Sequence, residues 1–470
     1  MTQGYNHYRG STLFEVSLEV LAPLHIGAGF DRIQDRADGE TVEVAQLVLA
    51  ADGQPAITPT ALKGAMRAIV KHSAGNDTAV LLFGQELNHN IKTGAIGILT
   101  PYAALMKQPG DISHRREVRG RSKGGTFQAV RTAINGAAGV PASDKLFTTE
   151  MVAPGAVFSL RMRLLGDPRA VPEASAQAVA QLLELLQRDG LTLGRGRGDG
   201  QGLVKVTLER VTSRWADGQG IQSKDDLAKW QRRIATDAQW QAPGHPYRFT
   251  LRGDAAFLVS AGPEASSQIS DATQQGRQGR SNMIRALRRR NNEPELPGSS
   301  LMGALRARAE WLAGLRNLRG IPGHEKDAIH IAEIFGLRAD QMEDSQLMKA
   351  LADRLDVQPI QITGLAGRLR LRRITPQKAE VVELASVRLD RFTQAPMDGA
   401  LFATEAFVMP CFEVDLQLSP HPCDACDAEL RRWVRRLIRH IGQRGAVEEG
   451  IMLGHGRNRG FGWFTLSEGP

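Results

Sequence analysis

Two ten-residue runs carry the residue types best suited to holding phosphate. LGRGRGDGQG spans Leu193 to Gly202, and LGHGRNRGFG spans Leu453 to Gly462. Gly194, Gly196, Gly200 and Gly202 align with Gly454, Gly456, Gly460 and Gly462, and Arg197 holds the slot of Arg457. Glycine at such positions permits positive φ and lets another backbone, or a phosphate, approach without a Cβ in the way. An arginine between the glycines adds a bidentate phosphate donor. The cations on offer are Arg195 and Arg197 in the first copy and His455, Arg457 and Arg459 in the second. A loop that only turned the chain would not need its arginine repeated, so both loops are expected to touch nucleic acid.

A second constellation has the spacing of a metal site. Cys411, His421, Cys423 and Cys426 combine a CxxC with a nearby histidine, the donor types of a zinc tetrahedron. The corresponding stretch of the first half, LGDPRAVPEAS, holds no such ligands. The cysteines are therefore expected to open an ordinary helix, with structural Zn²⁺ as the less favoured alternative. Three cysteines cannot build a disulfide framework.

Self-similarity at a fixed offset decides the architecture. Leu24 to Gly29 resembles Phe257 to Gly262, each closing an alternating apolar run that reads as a strand. TALKGAMRAIV from Thr60 resembles SSLMGALRARAEWL from Ser299, each starting with a hydroxyl residue at a helix N-terminus. Leu82-Phe83-Gly84 and Ile334-Phe335-Gly336 match as helix ends, and KLFTTEMVAPGAVFSLRMRL matches ALFATEAFVMPCFEVDLQL, with Phe147, Glu150 and Pro154 against Phe402, Glu405 and Pro410. A helical stretch, the glycine loop and a short strand follow in both halves. This is the order of a βαββαβ unit used twice. The expected class is α+β, with two tandem ferredoxin-like (RRM-like) domains carrying long inserted loops, at 1–213 and 246–470. The polar stretch 214–245 is expected to be a linker with a short helix.

Fifty-nine Lys and Arg against fifty-one Asp and Glu give a net charge of +8. The excess gathers in HRREVRGRSKGG (His114 to Gly125), RQGRSNMIRALRRR (Arg277 to Arg290) and RLRLRR (Arg368 to Arg373), where the periodic pattern breaks. Several such clusters in loop-like places favour a polyanion partner. Aromatics make up only 5%, so backbone and shape recognition suits the chain better than base stacking as the main mode. The sequence lacks a run of about 18 apolar residues and an apolar leader after MTQGYNHYRG, which predicts a cytoplasmic protein with no membrane partner.

The IGAG strand end, the helix starts TPTALKG and LPGSSLMG, the LFG, the ALFATE segment and the terminal GxGxxxGxG loop together resemble the RAMP superfamily of CRISPR proteins. More narrowly they are similar to the repeat-binding backbone subunits, the seventh Cas family, of type III effectors. Two such domains in one chain resemble the double-backbone subunit of type III-D-like complexes. The resemblance implies partners: a guide crRNA, a complementary target RNA and the other subunits of a type III effector. It also implies that Lys63, Gly64 and Arg67, with Ser299, Ser300, Gly303 and Arg306, face the guide. A β-hairpin thumb from each domain would interrupt guide–target pairing every six nucleotides, with the basic loop from Arg115 to Gly125 helping to position the target.

The same resemblance implies cleavage by an aspartate in the loop after the IGxG strand, assisting a Mg²⁺- or Mn²⁺-dependent attack of the target 2′-hydroxyl. The first loop supplies Asp31, Asp35 and Asp38; the second supplies Asp271 and Glu264. Counted back from the next strand, the family's usual position falls near Ala45 and Asn282, so a displaced aspartate would have to reach the phosphate. The readings are thus a guided endoribonuclease subunit or a non-catalytic RNA-binding scaffold. A third is a CRISPR-RNA processing endoribonuclease of the related sixth family, for which His25 sits at a strand end as general acid or base. Duplication of the SSLKG-type helix and the ALFATE segment argues against that last reading.

Overall fold

Period-two alternation builds the first strand: in GSTLFEVSLEV, Thr12, Phe14, Val16, Leu18 and Val20 turn inward and their neighbours outward. The computed structural model describes residues 10–35, 41–85, 97–112, 125–134, 141–236, 240, 244–260, 282–289, 292–338, 340–442 and 450–468. In the first half the elements are β1 (Gly10–Val20), β2 (Gly27–Asp35), β3 (Thr41–Leu47), β4 (Ala56–Ile57), α1 (Pro59–Phe83), β5 (Leu99–Pro101), β6 (Ala104–Gln108), β7 (Thr126–Ile134), β8 (Pro141–Val152), β9 (Val157–Leu165), α2 (Glu173–Asp189), β10 (Leu191–Thr192), β11 (Leu203–Asp217), β12 (Gly220–Asp225) and α3 (Leu227–Thr236). The second half has β13 (His245–Gly253), β14 (Ala256–Phe257), β15 (Asn282–Ile284), α4 (Gly298–Leu318), α5 (Asp327–Phe335), α6 (Ser345–Leu355), β16 (Leu369–Pro376), β17 (Glu380–Leu389), β18 (Pro396–Val408), β19 (Cys411–Leu418), α7 (Asp424–Gly442), β20 (Ile451–Met452) and β21 (Trp463–Glu468).

Each half is a ferredoxin-like α+β domain. Its central antiparallel sheet runs β11-β1-β9-β6 in the first and β21-β13-β19-β16 in the second, so the last strand of each βαββαβ unit lies beside the first. Two helices cover one face. Leu62, Met66 and Val70 of α1 and Val179, Leu182 and Leu186 of α2 pack on Phe14, Val16 and Leu18. In the second half Leu301 and Leu305 of α4, with Trp433, Val434 and Leu437 of α7, pack on Phe249, Leu251 and Val414. A smaller sheet is appended to each domain: β2-β3-β8-β7 in the first, and β14, β15 and β17 around β18 in the second. In both, one pairing is parallel, β3 with β8 and β15 with β18. The duplication therefore extends to the inserted arms.

The halves differ in their first long helix. Helix α1 breaks at Gly75, which adopts φ 87°, and ends at Gly84 with φ 81°. In the second half the break has widened into the segment between α4 and α5, and Gly336 ends α5 at φ 90°. The paired LFG and IFG sequences are helix ends, as expected. α6 follows as an addition with its own small core of Leu347, Met348, Leu351 and Ile362.

The stretch expected to be a linker is not one. β11 continues to Asp217 along the full length of β1, β12 adds a further antiparallel strand, and α3 returns Trp230 to the first core. Trp230 meets Phe14 edge to face with ring centroids 4.8 Å apart. The first domain thus extends to α3, because a tryptophan in a polar, arginine-rich window is a core anchor whose periodicity is too sparse to read. Trp230→Ala is expected to lower the unfolding free energy by roughly 4 kcal/mol, the usual scale for emptying a buried aromatic site. Urea unfolding followed by circular dichroism checks this; a loss under roughly 0.5 kcal/mol, the scale of an ordinary surface change, would return α3 to the linker.

Candidate nucleic-acid interface

The two glycine loops are superposable clasps. Leu193 N–H donates to the Gly202 carbonyl at 2.9 Å and Leu453 N–H to that of Gly462 at 2.8 Å. Arg195 N–H reaches the His25 carbonyl at 3.0 Å, and His455 N–H reaches Leu258 at 2.8 Å. Gly202 and Gly462 donate in turn to Pro23 and Ala256, at 2.9 and 2.8 Å. All eight matched glycines have φ between 72° and 83°. A β-carbon on Gly202 or Gly462 would lie 1.8 Å from the carbonyl oxygen of Leu193 or Leu453, and one on Gly194 or Gly454 would lie 2.1 or 2.4 Å from that of His25 or Leu258. The close approach these glycines allow is that of the protein's own backbone, which corrects the alternative that they make room for phosphate.

What the clasps present outward is side chains. Arg195, Arg197, His455, Arg457 and Arg459 are all exposed. Arg195, Arg197 and Arg457 form no ion pair among the described residues, while the Arg459 guanidinium lies 5.7 and 5.2 Å from the ring centres of Phe402 and Phe461. The first clasp also touches the second domain. Leu371 N–H donates to the Gly198 carbonyl at 2.9 Å, and a β-carbon on Gly298, the first residue of α4, would sit 1.8 Å from the Asp199 carbonyl oxygen. At that seam burial, and then the charge of Arg197, push the Arg370 guanidinium below its ordinary value. Arg372 is anchored beside them, donating to the Asp189 carbonyl at 2.7 Å.

The residues matched at the helix starts divide. Lys63 and Gly64 are exposed in α1, Gly303 is exposed in α4, and Ser299 and Ser300 are half-buried in its first turn. Among the described residues nothing lies within 4 Å of where a β-carbon would stand on Gly64 or Gly303. Arg67 and Arg306 do not fit the expected role. Arg67 is buried, and its guanidinium donates to the Gly84 carbonyl at the far end of its own helix. Arg306 is held by Glu310 at 3.0 Å and Gln341 at 2.7 Å. Both arginines are consumed by internal partners that a linear motif does not reveal.

Of the aspartates, Asp31 is exposed on β2 and pairs directly across the ladder with Ala45 on β3. Its carboxylate therefore stands on the neighbouring strand opposite the position where an aspartate was expected. Asp35 is in β2 opposite Thr41. Asp38 and Asp271 lie outside the described residues, as do Glu264 and residues 113–124 of the basic loop.

His25 is buried, and its Nδ1 is 2.7 Å from the Glu150 carbonyl oxygen. A carbonyl only accepts, so Nδ1 carries the proton and Nε2 keeps its lone pair. Burial pushes the ring below its ordinary value against the pull of that hydrogen bond, with the Arg195 charge lowering it further and Asp31 opposing. His25, Asp31 and Arg195 thus share one neighbourhood. The backbone clasps place Leu258 in the second domain where His25 stands in the first.

Sequence reasoning missed the role of the repeated glutamate. Glu150 accepts from Leu47 N–H at 3.4 Å, and Glu405 accepts from Ala286 N–H at 3.1 Å while pairing with Arg288. Each buried carboxylate binds a backbone amide at or just beyond the end of an arm strand. The TE pair in both copies was the available signal. Among the cysteines, His421, Cys423 and Cys426 gather with donor atoms within 4.8 Å of one another. Cys411 is not part of that group: it begins β19, and roughly 23 Å of strand separates it from Leu418 at the other end.

No described helix is long and apolar enough to cross a membrane. No curated protein matches the sequence. Among solved structures, similarity extends to a chain described as "Cryo-EM structure of the Type III-B Cmr-beta bound to cognate target RNA", with 13% identity and a TM-score of 0.30 over 46% of this chain and 61% of that one. The match spans less than two thirds of that chain. The family model for the RAMP superfamily matches residues 17–205 and again residues 251–465, so that each ferredoxin-like half, with its glycine clasp, is covered by its own match. The chain belongs to the RAMP superfamily.

Proposed function

We propose that this chain is the double-backbone subunit of a type III-D-like CRISPR effector, binding guide crRNA and target RNA alongside the other subunits. The observation that carries RNA binding is the pair Arg197 and Arg370, two cations that feel each other across the domain seam with no carboxylate paired to either among the described residues. Like charges side by side are unfavourable unless an anion lies between them. A phosphate would supply that anion. Replacing Arg197 and Arg370 with Gln should weaken crRNA association and reduce the slope of log affinity against log salt by up to about 0.7 per lost contact on a single strand. An unchanged slope in a KCl series followed by fluorescence anisotropy rejects the assignment.

Gly64 and Gly303 support the same reading from stability. An exposed glycine inside a helix costs about 0.5–1 kcal/mol relative to alanine, and here no protein atom needs the space. The vacancy fits a sugar–phosphate backbone drawn against the helix. Gly64→Ala and Gly303→Ala are therefore expected to raise stability by about 0.5–1 kcal/mol each while weakening crRNA binding. Tighter or unchanged binding in the stabilised variants excludes contact at these turns.

The β17–β18 hairpin has the form of a thumb. Its turn is fixed by Asp390, whose Oδ1 accepts from Phe392 N–H, Thr393 N–H and the Thr393 hydroxyl at 2.9, 2.8 and 3.1 Å, leaving Phe392 95% exposed at the tip. An aromatic ring held in that way can take the place of a base in the guide–target stack.

Cleavage is assigned to the first domain. Asp31 offers one carboxylate, and Mg²⁺ is commonly held by one or two carboxylates plus substrate phosphates, so the residue present fits the ion. The bound ion would stabilise charge on the phosphate as the target 2′-hydroxyl adds to phosphorus. The 2′-hydroxyl would give up its proton to solvent, and the bond to the 5′ oxygen would break as that oxygen takes a proton from solvent, leaving a 2′,3′-cyclic phosphate and a 5′-hydroxyl. Arg195, whose N–H is held by the His25 carbonyl, would face that phosphate, and the His25 ring ties the same turn to the Glu150 carbonyl. Asp31→Asn in the assembled complex should erase one cleavage product with target affinity within about twofold, because the carboxylate acts on the transition state. If that product persists with Mg²⁺ present, the subunit is a scaffold at this site.

A further inference from the structure

Helix α7 has two opposite faces. Trp433, Val434, Leu437, Ile438 and Ile441 are buried in the second core, whereas Arg432, Arg435, Arg436 and Arg439 are exposed. The four arginines follow i, i+3, i+4, i+7, the spacing of one helix face, and extend about 10 Å along the axis. They line a cleft of about 430 Å³, together with His440 of the same helix and Leu312 of α4. His440 is held in that wall by stacking on Trp311, with ring centroids 5.4 Å and planes 26° apart.

Among the described residues these four arginines form no ion pair, and no carboxylate lines the cleft. Arg432 has one hydrogen bond, its Nε donating to the Ala428 carbonyl of its own helix at 3.3 Å. Acidic groups in and around α7 are engaged elsewhere: Asp427 with His245 and Arg431, Glu429 with Arg354, and Asp327 with Arg316. Like charges at i, i+4 weaken a helix. Burial, then the charges of Arg316 and Arg432, push the Arg436 guanidinium below its ordinary value, with Asp327 opposing. The corresponding helix of the first domain has no such face. On α2, Glu184 and Leu185 are buried, and α3 lies against it, with Arg233 pairing to Glu173 at 2.6 Å.

We propose that this cleft binds the phosphodiester backbone of a single nucleic-acid strand, at a site separate from the clasps and from the turn of α4 that bears Gly303. From 303 to 312 is nine residues, about two and a half turns, so Leu312 and the cleft lie on the far side of α4 from Gly303. A row of planar guanidiniums gives bidentate contacts to successive phosphates. A cleft of about 430 Å³ has the size of a small-ligand site, enough for one strand's backbone and not for a duplex. A protein partner fits less well, because the centre of a protein interface is apolar and depleted of charge, and Leu312 is the one apolar lining residue among those described. Interfaces with nucleic acid are polar and strongly positive. Contacts to phosphate fix position without reading bases, so binding here would follow charge and not sequence.

The probe is a short fluorescein-labelled oligouridine, added to the full chain carrying Arg197→Gln and Arg370→Gln so that the outcome does not depend on the seam. Adding Arg435→Gln, Arg436→Gln and Arg439→Gln should weaken binding and lower the slope of log affinity against log salt by up to about 0.7 per lost contact. Arg435→Lys, Arg436→Lys and Arg439→Lys should keep the slope. In the unmutated chain, bound oligouridine should shield the α7 arginines from phenylglyoxal, read by peptide mass spectrometry, and that result stands even if the variants fold poorly. Unchanged affinity and slope in the glutamine variant overturns the site, as does undiminished labelling of the arginines. Displacement by polyglutamate or by tripolyphosphate at a lower charge concentration than by unlabelled oligouridine would give the cleft to an acidic protein or to a free anion, and overturns it as well.

Discussion

The hydrogen bond from a leucine amide to the carbonyl of a glycine nine residues later closes each half of this protein. Around it, two further amides of the same loop bind the carbonyls that follow the first strand of the domain. The loop therefore cannot move without disturbing β1 or β13, the strands at the centre of the two sheets. A free glycine-rich segment would lose about 1–2 kcal/mol per residue in backbone entropy when a ligand ordered it. Here that loss is already met on folding, and only arginine side chains have freedom left to lose on contact. A rigid base with mobile cations matches a ligand whose charge is regular and whose sequence varies.

The two-fold repeat, the helix starts and ends, the clasps and the ferredoxin-like class were legible because each depends on local periodicity or on glycines at fixed intervals. The residues that misled did so through contacts distant in sequence. Arg67 reads as a surface cation by its place in TALKGAMR, yet Gly84 at the end of the same helix captures it. Arg306 is claimed by Gln341, which lies beyond α5 and belongs to an addition absent from the first half. Trp230 was hidden in a polar window, since one aromatic among lysines and arginines makes no period. Asp31 was legible as a candidate, but its standing opposite Ala45 required the register of β2 on β3, which sequence spacing through a loop of variable length does not set.

Duplication has left the halves unequal in their polar interiors. The second holds a chain of buried charges: Arg316 binds Asp327 at 2.7 Å, Trp433 Nε1–H donates to the same carboxylate at 2.8 Å, and Arg354 joins Glu333 to Glu429. Burial pushes the Asp327 carboxyl up, but hydrogen bonds from His330, Trp433 and Arg316 together hold it below the usual carboxylate range. Its stabilising contribution is present above the unfolded value and fades as pH falls through the folded one. Charges in such a place fix one arrangement of α4, α5, α6 and α7, since a shifted helix would strand an ion without its partner. The first half packs its core with aliphatic and aromatic side chains instead, and its buried His25 stands at the arm.

The contact of Asp199 with Gly298 has a consequence for assembly. Where the first clasp meets α4, no atom separates the carbonyl of one domain from the backbone of the next. Separate single-domain subunits would have to find that fit by diffusion at whatever concentration the cell maintains, and would leave and return singly. Joined in one chain, the second domain is always present at its seat at high effective concentration. The step between neighbouring domains becomes a property inherited with the gene, with fixed rise and rotation. Any larger assembly of this chain would gain or lose its domains in pairs.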